Sequence, residues 1–237
     1  QKCMATRNPQ DVEPGEYEVV LEPSAVATAM QELAYMGING MSFIEGRSYA
    51  SGRLGTRVTS EAVTIVDDWR DPGTSPLPFD FEGVPRQRVP LIERGVAVGM
   101  VYDMAAAAKA STQSTGHAVP GGDMRGGFPL HLAMSPGDST IPEMIAGIER
   151  GIYVTRFNYA NPVHPMKTIF TGMTKDGTFL IEDGKITRPL RNLRFTDSIL
   201  DGLFAKVTAI SRQTELSPTG ISMAIYRAPA VRARLRF

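Results

Sequence analysis

The chain has 237 residues, with 25 Lys+Arg set against 25 Asp+Glu, so it carries no net charge. That balance argues against a protein that holds nucleic acid by neutralising phosphates, and a single cysteine, Cys3, excludes an intrachain disulfide and a zinc site built on several thiolates. A hydrophobic content of 42% with Gly 23 and Pro 17 excludes wholesale disorder and points to many short strands rather than a helix bundle.

Tyr17 to Leu21 reads as a short strand. A helix follows from Pro23, with Ser24 as N-cap, Val26, Met30 and Leu33 at helical spacing, and Gly37 as the stop. From Ile38 to Gly55 the frequent Gly and Ser predict a long loop. Val63 to Val66 is β-branched and ends at Asp67-Asp68. Asp71-Pro72-Gly73 and Pro76-Leu77-Pro78 make a rigid turn region.

Two hairpins follow the same pattern. Strands 88–92 and 96–102 flank Glu93-Arg94-Gly95, read as a three-residue connection, and strands 178–181 and 185–190 flank Glu182-Asp183-Gly184. Both carry Leu-Ile-Glu-x-Gly, which reads as recurrent turn chemistry rather than a duplication. Helices are predicted at 104–110, at 140–150, and at 196–205 with Thr196 as its cap. The tail from Ile221 to Phe237 alternates as a strand, with Pro229 arguing against a central position and Arg227, Arg232, Arg234 and Arg236 read as one solvated face. These pieces predict one α+β domain over 1–237, a large, mainly antiparallel, barrel-like sheet system with a few flanking helices.

No segment reads as a membrane span or a signal peptide: the apolar run 96–108 is broken by Gly99 and Asp103. The chain does not begin with Met, which suggests a piece of something longer. His117, His131 and His164 lack the close spacing of a zinc helix. His117, beside Gly121-Gly122, admits two readings, a functional loop residue or a hydrogen-bonded structural one. Asp80 and Glu82 alternate, so both would share one face of an extended segment; a general acid/base pair and turn capping with an ion pair to Arg86 or Arg88 both remain open. No P-loop, G-x-S-x-G or dinucleotide fingerprint occurs.

The ordered strings Glu13-Pro14-Gly15-Glu16-Tyr17, Gly52-Arg53-Leu54-Gly55, Val66-Asp67-Asp68, Phe79-Asp80-Phe81-Glu82-Gly83-Val84-Pro85, Ser114-Thr115-Gly116-His117-Ala118, Thr171 to Gly184 and Asn192-Leu193-Arg194-Phe195 resemble the C-terminal half of the TldD/PmbA family, also labelled modulators of DNA gyrase. The resemblance covers nearly the whole chain. It implies an additional N-terminal α/β domain that these residues do not contain.

In TldD-like members the resemblance implies zinc held by an H-E-x-x-x-H helix and a C-terminal cysteine, with the Glu as general base on a metal-bound water. The matching helix here is Gln31-Glu32-Leu33-Ala34-Tyr35-Met36. Glu32 is kept, both histidine positions are changed, and 217–237 contains no cysteine. The resemblance therefore implies a TldE/PmbA-like subunit with no catalytic residues, no metal and no cofactor of its own. Zinc is expected only in a TldD-like partner, and extended or unfolded peptide is the expected substrate. Glu32 is then expected on the helix surface as a vestige, and Met36 in the core.

Asp80, Glu82 and His117 are the candidates for a peptide cleft. The alternatives are a non-catalytic homodimeric binding or assembly protein, or a hydrolase using those three residues without metal. A cytoplasmic location with no nucleic-acid or membrane partner completes the expectation.

Overall fold

The computed structural model describes residues 2–120, 126–220 and 223–237, with the side chain of Cys3 outside what is described. Gly121-Gly122 and the first two residues of the predicted tail strand therefore lie outside the described residues. In chain order the elements are α1 (Lys2–Ala5), β1 (Glu16–Leu21), α2 (Pro23–Tyr35), α3 (Gly40–Ile44), β2 (Ile65–Asp67), β3 (Val89–Glu93), β4 (Val96–Ala97), α4 (Met104–Lys109), β5 (Leu132–Met134), α5 (Ile141–Ala146), β6 (Arg150–His164), β7 (Ile169–Glu182), β8 (Lys185–Pro189), β9 (Arg194–Ser198), β10 (Ala209–Pro218) and β11 (Ile225–Arg236).

All eleven strands join one sheet, ordered β4-β3-β2-β5-β11-β1-β6-β7-β8, with β10 on β11 and β9 on β7. Eight of the ten strand pairs are antiparallel; β1 with β6 and β11 with β5 are parallel. The mixed α+β class is as predicted. The strand path ends at β4 on one side and β8 on the other, so the sheet is open and barrel-like describes it only loosely.

β1 lies inside the sheet between β11 and β6, and its last three residues, Val19, Val20 and Leu21, are all fully buried. Their side chains alternate between two cores: Val19 and Leu21 join the large core with α2, and Val20 joins a smaller one with Met144, Ile148, Tyr153, Phe179 and Ile181. A strand covered on both faces reads as a continuous apolar run, which is why Val-Val-Leu carries no polar residue.

α2 forms because Val26, Met30 and Leu33 recur on one face and the alanines between them let the helix sit close to the sheet. Its N-cap is Glu22, with Pro23 in the first turn, and no side chain caps it; Ser24 is one residue inside the helix. It stops at Met36, where Gly37 takes φ +138 and a Cβ would lie 2.8 Å from Cα of Ser48.

The two hairpin turns are tighter than the sequence suggested. Glu93 pairs with Val96 and Glu182 with Lys185, which leaves two-residue loops, Arg94-Gly95 and Asp183-Gly184. All four loop residues have positive φ, the requirement of a type I′ turn that follows the natural strand twist. The hairpins lie at opposite edges of the sheet.

Further expectations are corrected. The predicted loop after Gly37 contains α3, whose first turn is held by Asn39 accepting from the Ser42 N–H at 2.8 Å. The segment 194–204 is a strand followed by a π-type turn over Ile199–Phe204 with Ser198, not Thr196, as its cap.

β11 is central, flanked by β1, β5 and β10. Pro229 is accommodated because β10 shifts register between Ile210 and Thr214, the residue opposite it. The four tail arginines do not share one solvated face. Arg227 binds both oxygens of Asp71, and Arg232 binds Glu18 and the Gly147 carbonyl, while Arg234 and Arg236 are exposed.

Candidate functional site

Ser24, Thr28, Gln31 and Glu32 fall at i, i+4, i+7 and i+8, so α2 carries a polar stripe beside its apolar face. That stripe forms one wall of a cavity of about 540 Å³. The other walls are Arg156 to Asn161 of β6 and Pro218 to Gly220 after β10. β6 bends over the helix because its pairing with β7 slips between Val154 and Arg156 and again between Asn158 and Asn161. Tyr159 sits in the second slip with φ +53 and 77% exposed.

Glu32 is the centre of this wall. It is 3% exposed, which corrects the expectation of a helix-surface residue: β6 and the 218–220 segment cover the stripe. Its Oε1 accepts a long bond of 3.4 Å from Nε2 of Gln31, and its Oε2 is buried with no partner among the described residues. Burial pushes the carboxyl up to about 7, and the Gln31 bond offsets that only in part. Gln31 also accepts from the Gly220 N–H at 2.9 Å, so one carboxamide ties the segment after β10 to the helix. Met36 is buried in the large core, as expected.

These residues do not fit a zinc ion. Among the described residues no three of His, Cys, Asp and Glu come together in a way that could hold a metal. At the two positions where the resemblance would place imidazoles, Gln31 is a neutral amide engaged with Gly220, and Met36 is a thioether turned into the core.

Asp80, Glu82 and His117 do not line this cavity. Asp80 is buried; its Oδ1 accepts from the Glu82 and Val84 N–H groups, and its Oδ2 from the Ala118 N–H, each at 2.9 Å. Glu82 is exposed and accepts from the Met104 N–H at 2.8 Å, at the start of α4. Turn capping is thus what Asp80 and Glu82 do, without the ion pair to Arg86 or Arg88. Arg88 pairs with Asp68 instead.

His117 is fully buried, with Nε2 3.0 Å from Oδ1 of Asp67 and Nδ1 near Thr115. Asp67 also accepts from the His131 N–H at 2.8 Å. Burial pushes Asp67 up, but the charge and hydrogen bond of His117 outweigh it and hold the carboxyl below its ordinary value. His131 donates from Nε2 to the Ser75 carbonyl at 2.9 Å, so its Nδ1 is the acceptor facing Nη1 of Arg86 at 3.2 Å. Burial lowers the His131 pKa, in keeping with that neutral tautomer.

The site is thus a polar cavity between α2, laid across an open mixed sheet, and the outer part of β6. The sequence matches the PmbA/TldA metallopeptidase C-terminal domain over residues 14–234, and the chain belongs to that family. It is 27% identical over 190 residues to a metalloprotease of Methanothermobacter thermautotrophicus, covering 80% of this chain and 41% of that protein. It is 28% identical over 207 residues to a metalloprotease TldD homolog of Haemophilus influenzae, covering 84% and 41%. The fold superposes on the crystal structure of TldE from Thermococcus kodakarensis with a TM-score of 0.88 at 24% identity, covering all of this chain and 53% of that one. The chain thus spans less than half the length of these curated relatives.

Proposed function

We propose that this chain is the C-terminal part of a TldE/PmbA-like, metal-free subunit that works beside a TldD-like, zinc-bearing partner in the cytoplasm. Its contribution is the cavity over α2, a polar wall against which an extended or unfolded peptide lies while the partner supplies the hydrolytic centre. The observation that supports this most is the helix Gln31 to Met36. It keeps the buried carboxyl but replaces both imidazole positions, one by an amide tied to Gly220 and the other by a core methionine. A carboxyl alone does not generate hydroxide at neutral pH, which metal coordination does by lowering the pKa of bound water. The polar stripe and the bent end of β6 offer backbone and side-chain groups of the kind an extended peptide uses.

Co-purification from the native source tests the pairing. A stable complex with a chain carrying intact H-E-x-x-x-H is the expected result. A homodimer that never recruits such a chain would favour the alternative, a self-sufficient binding or assembly protein.

A further inference from the structure

The lining of the α2 cavity is one-sided in its charge. Its ionisable side chains are Glu32, Arg156 and Tyr159. Arg156 is already paired with Asp176, so the carboxyl of Glu32 is the ionisable group there that lacks a counter-charge.

The neutral groups lean the same way. The Thr28 hydroxyl spends its proton on the Ser24 carbonyl at 3.0 Å, which leaves its oxygen to accept. Asn161 donates from Nδ2 to the Tyr159 carbonyl at 2.9 Å, which leaves its Oδ1 to accept. The Gln31 carboxamide is committed to Gly220 on one side and Glu32 on the other. The wall therefore presents several acceptors, with a buried carboxyl oxygen that has no donor among the described residues. Such an oxygen is costly unless a ligand supplies the missing partner.

We propose that this cavity is a binding site for an ammonium group, with Glu32 as its counter-ion and the Thr28 and Asn161 oxygens as further acceptors. A compact ammonium carries several N–H donors and no acceptor, the complement of this lining. A carboxylate or phosphate would face an unpaired carboxyl and find one arginine, whose charge Asp176 already offsets. The volume of about 540 Å³ suits an ammonium together with a few residues of the chain that bears it. The ammonium has two sources in a peptide, its N-terminus and a lysine side chain. That part of the proposal rests on the reading of the cavity as a peptide site; the ammonium site itself does not.

The test is binding to the full chain, followed by NMR and calorimetry. The probes are n-butylamine, its neutral isostere n-butanol, and three forms of one short alanine peptide amide: free N-terminus, N-acetylated, and N-acetylated with a central lysine. The proposal expects n-butylamine to perturb the amide signals of Gln31, Glu32 and Gly220, and n-butanol to leave them unmoved. It expects a peptide with an ammonium to bind about tenfold or more tighter than the acetylated one. Glu32→Gln is expected to abolish that difference. Preference for the free N-terminus or for the lysine identifies the source.

Equal binding of all three peptides, with n-butylamine inert, would overturn the ammonium site while leaving the peptide reading intact. Binding of n-butylamine with no peptide bound would keep the ammonium site and sink the peptide reading. The comparison of n-butylamine with n-butanol needs no variant, so a Glu32→Gln chain that failed to fold would not blunt it.

Discussion

Two buried polar regions of this molecule, both within electrostatic reach of Tyr226 on β11, differ in one respect. Around Asp67 both carboxyl oxygens are bonded, to His117 and to the His131 N–H, and His131 is itself bonded at both ring nitrogens. Around Glu32 one oxygen has a long bond and the other has none among the described residues. Buried polar groups are nearly always satisfied, so the first region reads as a staple that ties together 67, 117 and 131. The second reads as a wall waiting for a ligand. Arg86 is the point where the contrast is incomplete, since its Nε and Nη2 are buried without partners.

The largest effect is expected in the first region. Asp67→Ala removes a fully buried carboxyl and leaves Nε2 of His117 and the His131 N–H without their acceptor. It should cost about 3–5 kcal/mol of stability in chemical denaturation. A loss under about 1 kcal/mol would break the contrast at its strong end.

The second prediction concerns Glu32 and its pH dependence. The groups around it are Tyr35 on α2, Tyr226 on β11, and Arg156 and Tyr159 on β6; both Tyr35 and Tyr226 are themselves pushed up by burial. With a folded pKa of about 7 against an ordinary 4.5, the folded chain holds a proton that the unfolded chain releases. Stability contributed by that proton is complete below about pH 4.5 and is lost as the pH rises through 7, by up to about 3 kcal/mol. Glu32→Gln should remove this loss and be more stable than the parent at pH 8. A parent chain whose difference from Glu32→Gln stays flat from pH 4.5 to 8 would show that Glu32 has a partner after all.

Gly37→Ala comes next, at about 2 kcal/mol, because it places a Cβ against Ser48 at φ +138. Thermal denaturation measures it, and a neutral result would mean that the end of α2 yields. The smallest effect is Gln31→Ala, about 1 kcal/mol. Its sharper readout is faster hydrogen exchange at the Gly220 amide, with little change elsewhere on the helix.

The sequence carried the parts of this architecture whose cause is local. The hairpins were legible because Arg94-Gly95 and Asp183-Gly184 supply positive φ between apolar runs, and α2 because its apolar positions keep helical spacing up to Gly37. β6 was not legible. It holds Asn158, Asn161 and Pro162, residues poor in strands, and its outer half is exposed, so pairing with β7 rather than its own pattern keeps it extended.

Glu32 was misplaced for a related reason. Its burial is decided by chain 124 to 129 residues further on in β6 and by the segment around Gly220. The link between Asp67 and His117 likewise spans 50 residues. Asp80 and Glu82 drew attention as a pair, yet each is spent on backbone N–H groups near a turn or helix start, a use their spacing does not announce.

The claim on which the rest depends is that the chain holds peptide at α2 without a metal of its own. Its most direct test is the zinc content and peptidase activity of the purified chain after equilibration with zinc and removal of the excess. Far less than one zinc per chain and no peptide hydrolysis are expected. One tightly held zinc per chain, with hydrolysis that a chelator stops and Glu32→Gln abolishes, would contradict it.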